Sequence, residues 1–308
     1  MSDIKILASG LKFPEGPVAL PDGSVAFVDI ADGSLSRVSA DGVLTKVAHT
    51  GGGPNGLAVG PDGAYYVCNN GGSEYAVGPR FKWTNVGVAK DYTSGSIQRV
   101  DPNTGEVKTL YTHCGPRKLS APNDLVFDTQ GGFYFTDVGK RYPTYKEHGG
   151  VYYARIDGSS ITPVVYPFVG TPNGCGLSPD GKVLYVAETD TSRLWAHDII
   201  EPGVLKKHPY PSPFGGRLIG GLPGFQKFDS LAVEANGNIC VATFITGHFT
   251  VFSPTGEVVR QVKVPDVFPT NICFGGPGLR TAYMTLTEIG RVVSMPWPEA
   301  GLRLNYQT

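Results

Sequence analysis

The stretch Phe13-Pro14-Glu15-Gly16-Pro17-Val18-Ala19-Leu20-Pro21-Asp22-Gly23-Ser24-Val25-Ala26-Phe27-Val28-Asp29 decides the fold. Glu15, an oxygen-bearing side chain, opens a short apolar run. A Pro-Asp-Gly turn follows, and a second apolar run ends on a polar residue. Gly23 stands where positive φ is cheap, so the stretch reads as a β-hairpin. The same pattern returns five times. Asn55 leads through Pro61-Asp62-Gly63 to Asn69, and Asn123 through Thr129-Gln130-Gly131 to Asp137. Asn173 leads through Pro179-Asp180-Gly181 to Glu188, and Asp229 through Ala235-Asn236-Gly237 to Thr243. The last unit, Asn271 to Thr285, is the most degenerate and turns at Gly276-Pro277-Gly278.

A third alternating run follows each hairpin, as in Gly33–Val38, Gly95–Val100 and Gly247–Val251. A fourth follows most of them, as in Leu44–Ala48, Val107–Tyr111 and Val258–Val264. Four antiparallel strands repeated six times predict an all-β chain, a six-bladed β-propeller of four-stranded blades. No room remains after Met295 for a fourth strand of the last unit, and Ile4–Ala8 is free to fill that place. The ring is therefore expected to close through its N-terminal strand, with residues 1–308 as a single domain. Two smaller all-β domains would not produce six units with one turn offset.

Composition agrees. The chain has 308 residues with 42 glycines and 25 prolines, interleaved with runs rich in Val, Tyr and Phe. A net charge of -1 gives no reason to expect nucleic acid. No apolar run approaches the roughly 20 residues that span a bilayer. The first residues lack the basic-then-apolar pattern of a signal peptide. The five cysteines are scattered without Cys-x-x-Cys spacing and read as buried free thiols, which fits a reducing cytoplasm.

Topology turns the repeat into a site. If each first strand starts at the upper face, Glu15, Asn55, Asn123, Asn173, Asp229 and Asn271 converge there on the axis. Two carboxylates and four amides, without thiolate or imidazole, suit a hard divalent cation such as Ca²⁺, Mg²⁺ or Mn²⁺. The longest connections, 70–94, 138–149 and 206–228, fall on the same face and are expected to wall its mouth. They carry aromatic residues, among them Tyr75, Phe81, Trp83, Tyr142 and Phe214. They also carry Arg80, Lys140, Arg141, Arg217 and Lys227 against few acids, an excess that points to an anion-attracting face. Trp83 and Tyr142 are the expected substrate contacts. His148 and His248 lie near the same face. No phosphate loop and no Gly-x-Ser-x-Gly elbow is present.

The motifs Phe13-Pro14-Glu15-Gly16-Pro17, Pro122-Asn123-Asp124-Leu125, Pro172-Asn173-Gly174 and Phe228-Asp229-Ser230 resemble those of the gluconolactonase and regucalcin (senescence-marker-protein) family. That resemblance implies a six-bladed propeller with one divalent ion, Ca²⁺ first and Mg²⁺, Mn²⁺ or Zn²⁺ next. It implies metal ligands at Glu15, Asn173 and Asp229, with Asn123 a fourth ligand or a substrate contact. It further implies hydrolysis of a lactone, with Asp229 as general base. The expected partner is a small lactone, anionic or partly aromatic. One position departs from the family: Ala121 stands where sugar lactonases carry an arginine, and Arg117 is the nearby basic residue to take over that contact. Phosphotriester hydrolysis on the same ion and non-catalytic Ca²⁺ binding are the alternatives.

Overall fold

A computed structural model describes residues 3–78 and 82–307. Arg80 and Phe81, named above for the second unit's long connection, lie outside the described residues. The six units form a six-bladed β-propeller. Blade one consists of Pro14–Ala19, Val25–Asp29, Ser34–Val38 and Leu44–His49, paired in chain order. Blade two holds Pro54–Val59, Tyr65–Asn69, Ser96–Val100 and Val107–Tyr111. Blade three holds Pro122–Phe127, Gly132–Asp137, Gly149–Arg155 and Ile161–Phe168. Blade five holds Lys227–Val233, Ile239–Phe244, His248–Phe252 and Val258–Lys263. Blade six takes Pro269–Gly275, Thr281–Leu286 and Arg291–Pro296, and Lys5–Ser9 adds to its outer edge. The ring closes as expected, with Lys5 opposite Ser294.

Blade four differs from the sequence reading. Its first three strands are Pro172–Leu177, Val183–Glu188 and Arg193–Glu201. The segment 206–228 was expected to be a loop at the mouth, yet its Arg217–Gly221 is the outer strand, with Ala196 opposite Arg217. Phe214 accordingly stacks on Phe168 at 3.9 Å and meets Trp195 edge-on at 5.1 Å, away from the axis. Four glycines at 215, 216, 220 and 221 dilute the alternation that marks the other outer strands.

Alternating side chains give each blade two apolar faces, and six buried clusters fill the wedges between neighbours. The wedge between blades two and three is the most aromatic, with Tyr66, Phe127, Phe133, Phe135 and Tyr152. All five cysteines are buried and free, four of them in inner or middle strands. Among the described residues no helix is long and apolar enough to cross a membrane.

The inner strands touch one another around the axis, and their backbones are too close for side chains at some positions. Gly16 has φ +53°, and a Cβ there would lie 2.6 Å from the Asn55 carbonyl oxygen. A Cβ at Gly56 would lie 2.5 Å from the Asn123 carbonyl oxygen. Every inner strand also slips register against its partner near its start. In blades two to five the slip spans the leading residue and its follower, for example Asn123 and Asp124 between the paired Pro122 and Leu125. Such a bulge re-aims side chains out of the sheet plane, here toward the axis.

The polar residue ending each second strand has a structural task in the first three blades. Asp29 accepts the backbone N–H groups of Lys12 and Phe13, both at 2.9 Å. Asp137 accepts those of Ser120 at 2.7 Å and Ala121 at 2.8 Å, and Asn69 accepts Gly53 N at 2.9 Å. Each fixes the chain entering its inner strand, which sets where the leading side chain emerges.

The lower end of the axis is closed by the segment after the last blade. Leu302 N donates to Val233 O at 2.8 Å, Asn305 Nδ2 to Phe127 O at 2.9 Å and Gln307 Nε2 to Phe274 O at 2.9 Å. This strap spans blades three, five and six. Above it lies an apolar chamber of about 280 Å³, walled by Leu57, Leu125, Leu177, Leu231 and Ile272.

Candidate functional site

A cavity of about 770 Å³ opens at the upper end of the axis. Five of the six leading residues, Glu15, Asn55, Asn123, Asn173 and Asp229, line it together. Asn271 faces the lower chamber instead, yet its Nδ2 donates to Glu15 Oε2 at 2.9 Å. Gly16 N donates to the same oxygen at 2.6 Å, so among the described residues neutral groups orient Glu15. Asn173 is held by its Nδ2 donating to Thr189 Oγ1 at 3.1 Å, while Thr136 Oγ1 donates to its carbonyl at 2.5 Å.

The electrostatics of this cup are unbalanced. Glu15 is 2% exposed and Asp229 8%. Among the described residues neither takes part in an ion pair. Burial, followed by the nearby Asp229, pushes the Glu15 carboxyl well above its ordinary range. Burial likewise pushes Asp229 up to about 8. Meanwhile Asn123 Oδ1 and Asn173 Oδ1 are buried with no hydrogen-bond partner among the described residues. An orphaned buried acceptor costs about 1–3 kcal/mol, and here two stand beside two uncompensated carboxylates. All four donors are hard oxygens, the set that a divalent cation takes. Three or more His, Cys, Asp or Glu side chains are nowhere grouped for a metal among the described residues, so any ion here depends on the two amides.

A third axial carboxylate escaped the sequence reading. Asp124 occupies the place where blades one, two and four carry Gly16, Gly56 and Gly174. It is buried, Leu125 N donates to its Oδ1 at 2.8 Å, and burial pushes its carboxyl up to about 7. The signal was present as Asn-Asp in place of Asn-Gly.

The walls of the cavity are of two kinds. Phe13, Tyr75, Phe244 and Phe268 form one, with Phe13 against Tyr75 at 5.9 Å and Phe244 against Phe268 at 4.4 Å. The hairpin of Ser73–Ala76 and Thr84–Val88 brings Tyr75 and Val86 over the mouth, so the long connection of blade two does wall it. Adjoining it, where Lys227 pairs cross-strand with Phe244, Arg141, Lys146 and Lys227 surround the single carboxylate of Asp190 at 3.6, 3.3 and 3.5 Å. Lys140 is not part of that charged wall. Its buried Nζ donates to Asn70 O at 2.6 Å and Gly72 O at 2.7 Å, which ties the long connections of blades two and three together. Burial lowers its ammonium to about 8.

The expected substrate contacts divide. Asn123 and Tyr142 line the cavity, Tyr142 stacked on Tyr145 at 4.5 Å. Arg117 and Trp83 are not among its lining residues. The Arg117 guanidinium lies over the Tyr166 ring at 3.6 Å, on a short hairpin beside blade three. Trp83 sits under Lys12 at 5.8 Å. Ala121 lines the cavity, and Arg117 does not reach in to take over the contact; the arginine that lines the cavity is Arg141. His148 and His248 do not line it either.

Residues 13–288 match the profile of the SMP-30/Gluconolactonase/LRE-like region. The chain belongs to this family. Lactonase drp35 of Staphylococcus epidermidis is 30% identical over 264 residues, which cover 85% of this chain and 72% of that protein. Regucalcin from Agrobacterium tumefaciens, a calcium-binding protein, superimposes with a TM-score of 0.75 at 16% identity over 96% of this chain and 94% of the other. A gluconolactonase from Xanthomonas campestris gives 0.74 at 21% identity over 96% and 89%. At those identities the two structures bear on the fold.

Proposed function

We propose that the protein is a divalent-metal-dependent lactonase that opens a lactone ring with water. The observation that carries this reading is the pair of bare amide oxygens, Asn123 Oδ1 and Asn173 Oδ1, beside the buried carboxylates of Glu15 and Asp229. The lactonase name of the Staphylococcus epidermidis relative supports the choice of substrate class. The calcium-binding neighbour supports Ca²⁺ as the first ion to test.

Glu15, Asn173, Asp229 and Asn123 would hold the ion. When bound, such an ion polarises the ring carbonyl and acidifies water. Asp229 is assigned the general base: it removes a proton from the attacking water as the new C–O bond forms at the carbonyl carbon. The ring C–O bond then breaks, and the departing alkoxide takes from Asp229 the proton it removed, leaving a hydroxy acid. Asn123 orients the carbonyl, and Tyr142 contacts the substrate at the mouth. Glu15 is held in place by Gly16 N and Asn271 and supplies charge without moving a proton.

The test is a panel of lactones and phosphotriesters, followed by a pH indicator, with Ca²⁺, Mg²⁺, Mn²⁺ and Zn²⁺ added to stripped protein. Lactone turnover restored by one of these ions is expected. Asp229→Asn should lose at least a hundredfold in kcat while keeping its circular dichroism and cooperative melt. Full activity in that variant or in stripped enzyme would sink the reading. Turnover of phosphotriesters alone would replace it.

A further inference from the structure

The two walls above the cup differ in a way that the cup itself does not require. On the side of blades three, four and five, three cations share one carboxylate. Lys146 Nζ reaches Asp190 and also Thr171 Oγ1, and Lys227 and Arg141 approach the other Asp190 oxygen at 3.5 and 3.6 Å. Burial opposes ionisation of Asp190, yet the hydrogen bond from Thr171 and the charges of Lys146 and Lys227 hold its carboxyl below the ordinary range. Three positive groups against one negative leave an excess of two charges facing the cavity. The cluster sits beside the cup, since Thr171 and Lys227 each precede a cup residue, Asn173 and Asp229, by two positions. The adjoining wall is aromatic, with Phe13, Tyr75, Phe244 and Phe268, and it begins at Phe244, the cross-strand partner of Lys227.

Taking the cup as a lactone-opening centre, as proposed above, we infer that its substrate carries a carboxylate. That group lies against Arg141, Lys146 and Lys227, and the apolar body of the substrate lies against the adjoining aromatic wall. The carboxylate fills the charge that Asp190 leaves unmatched, and a planar two-oxygen anion suits both an arginine fork and paired ammonium groups. Three of the four rings of the aromatic wall, Phe13, Phe244 and Phe268, carry no hydrogen-bonding group, which favours an apolar body there. This agrees with Ala121 in place of a sugar-contacting arginine. A charged group on one side and an apolar body on the other also fixes which face of the ring meets the cup, and such orientation converts binding into rate.

Two arms test this. In the first, metal-stripped protein is titrated by calorimetry with phenylacetate and with its neutral counterpart phenylacetamide, at 50 and 500 mM NaCl. Phenylacetate should bind at least tenfold tighter at low salt, with the ratio shrinking at high salt. Lys227→Met and Arg141→Met should each lower that ratio at least threefold, with melting curves verifying that both variants are folded. Arg141 is largely exposed, so its removal spares the packing. Using stripped protein keeps an ion in the cup from supplying the anion preference. Equal binding of the two probes, or a ratio unchanged in both variants, overturns the inference.

In the second arm, an aryl-substituted γ-lactone bearing a ring carboxylate is compared with its carboxamide on the ion-loaded enzyme. At least a tenfold higher kcat/KM for the acid is expected, carried mainly by KM. Turnover of the amide as fast as the acid overturns the carboxylate inference and leaves the lactonase reading intact. No turnover of either lactone, with the phenylacetate preference retained, sinks the lactonase reading alone.

Discussion

Asn123 and Asp124 are neighbours in the chain with opposite fates in the cup, one leaving an amide oxygen bare and the other burying a carboxylate among inner-strand backbones. If the bare oxygen waits for a cation, removing it should affect the loaded protein and spare the empty one. Asn123→Leu is therefore expected to melt no lower than wild type without metal, because an unmatched buried acceptor is lost. With Ca²⁺ at a concentration that raises the wild-type melting temperature, the variant should show less than half that rise. Equal stabilisation of both would take Asn123 out of the ligand set. At Gly56 the outcome is steric. A Cβ there would lie 2.5 Å from the Asn123 carbonyl oxygen and 2.7 Å from the Asp124 Cα, both backbone atoms that cannot swing aside. Gly56→Ala should cost at least about 2 kcal/mol in urea unfolding, and a neutral result would mean that the inner strands yield more readily than their packing indicates. At this scale the leading residues were legible because one turn offset recurs six times. Asp124 was not, since only the ring brings position 124 against position 56. The cluster at Asp190 was equally hidden, because its members come from three blades.

Blade four is where an element escaped the pattern. Its strand Arg217–Gly221 carries glycines where other outer strands carry alternating side chains, and no local signal separates it from a loop. That strand and the segment before it seal a histidine. His197 is 1% exposed, its Nε2 has no partner among the described residues, and the Gly216 backbone packs against its ring. Burial pulls the imidazole down to about 4. The sign follows from proton counting. Between pH 6.5 and 4 the unfolded chain binds a proton at this site and the folded chain does not, so stability falls as pH drops through that window. The full contribution of His197 is roughly 3 kcal/mol. His197→Phe should flatten this part of the stability profile, read by urea denaturation at pH 7 and pH 5. Parallel losses in both proteins would show that the ring finds a proton without unfolding. Arg217 and His208, each bonded to Asp198 at 2.8 and 2.9 Å, belong to the outside of this blade and do not reach the axis.

Across the whole molecule the ring is closed by a strand from the far end of the chain, which was readable as a missing strand in the last unit. The strap under the axis was not readable, because Leu302–Gln307 makes single hydrogen bonds to three blades and has no periodicity. We propose that residues 1–308 unfold as one unit. A single calorimetric transition is expected, with the calorimetric and van't Hoff enthalpies equal. Deleting residues 3–9 should unpair the edge of blade six and abolish that transition. A stop after Gly301 should be milder, lowering the melt and admitting an apolar dye to the lower chamber while Ca²⁺ binding in the cup persists. Two separate transitions in the intact protein would argue for independent parts.

The register slip at the head of every inner strand separates what the ring is made of from what it presents. In blades two to five the leading residue lies within the stretch that skips the ladder, so its side chain can change while the pairing beneath it stays. The upper face thus works as a set of interchangeable sockets on a fixed chassis. Exchanging the occupants of two sockets, Asp229→Asn with Asn55→Asp, would carry the negative centre from blade five to blade two, toward the aromatic hairpin and away from the cationic wall. The same ring of blades would in this way present a different charge pattern at its mouth.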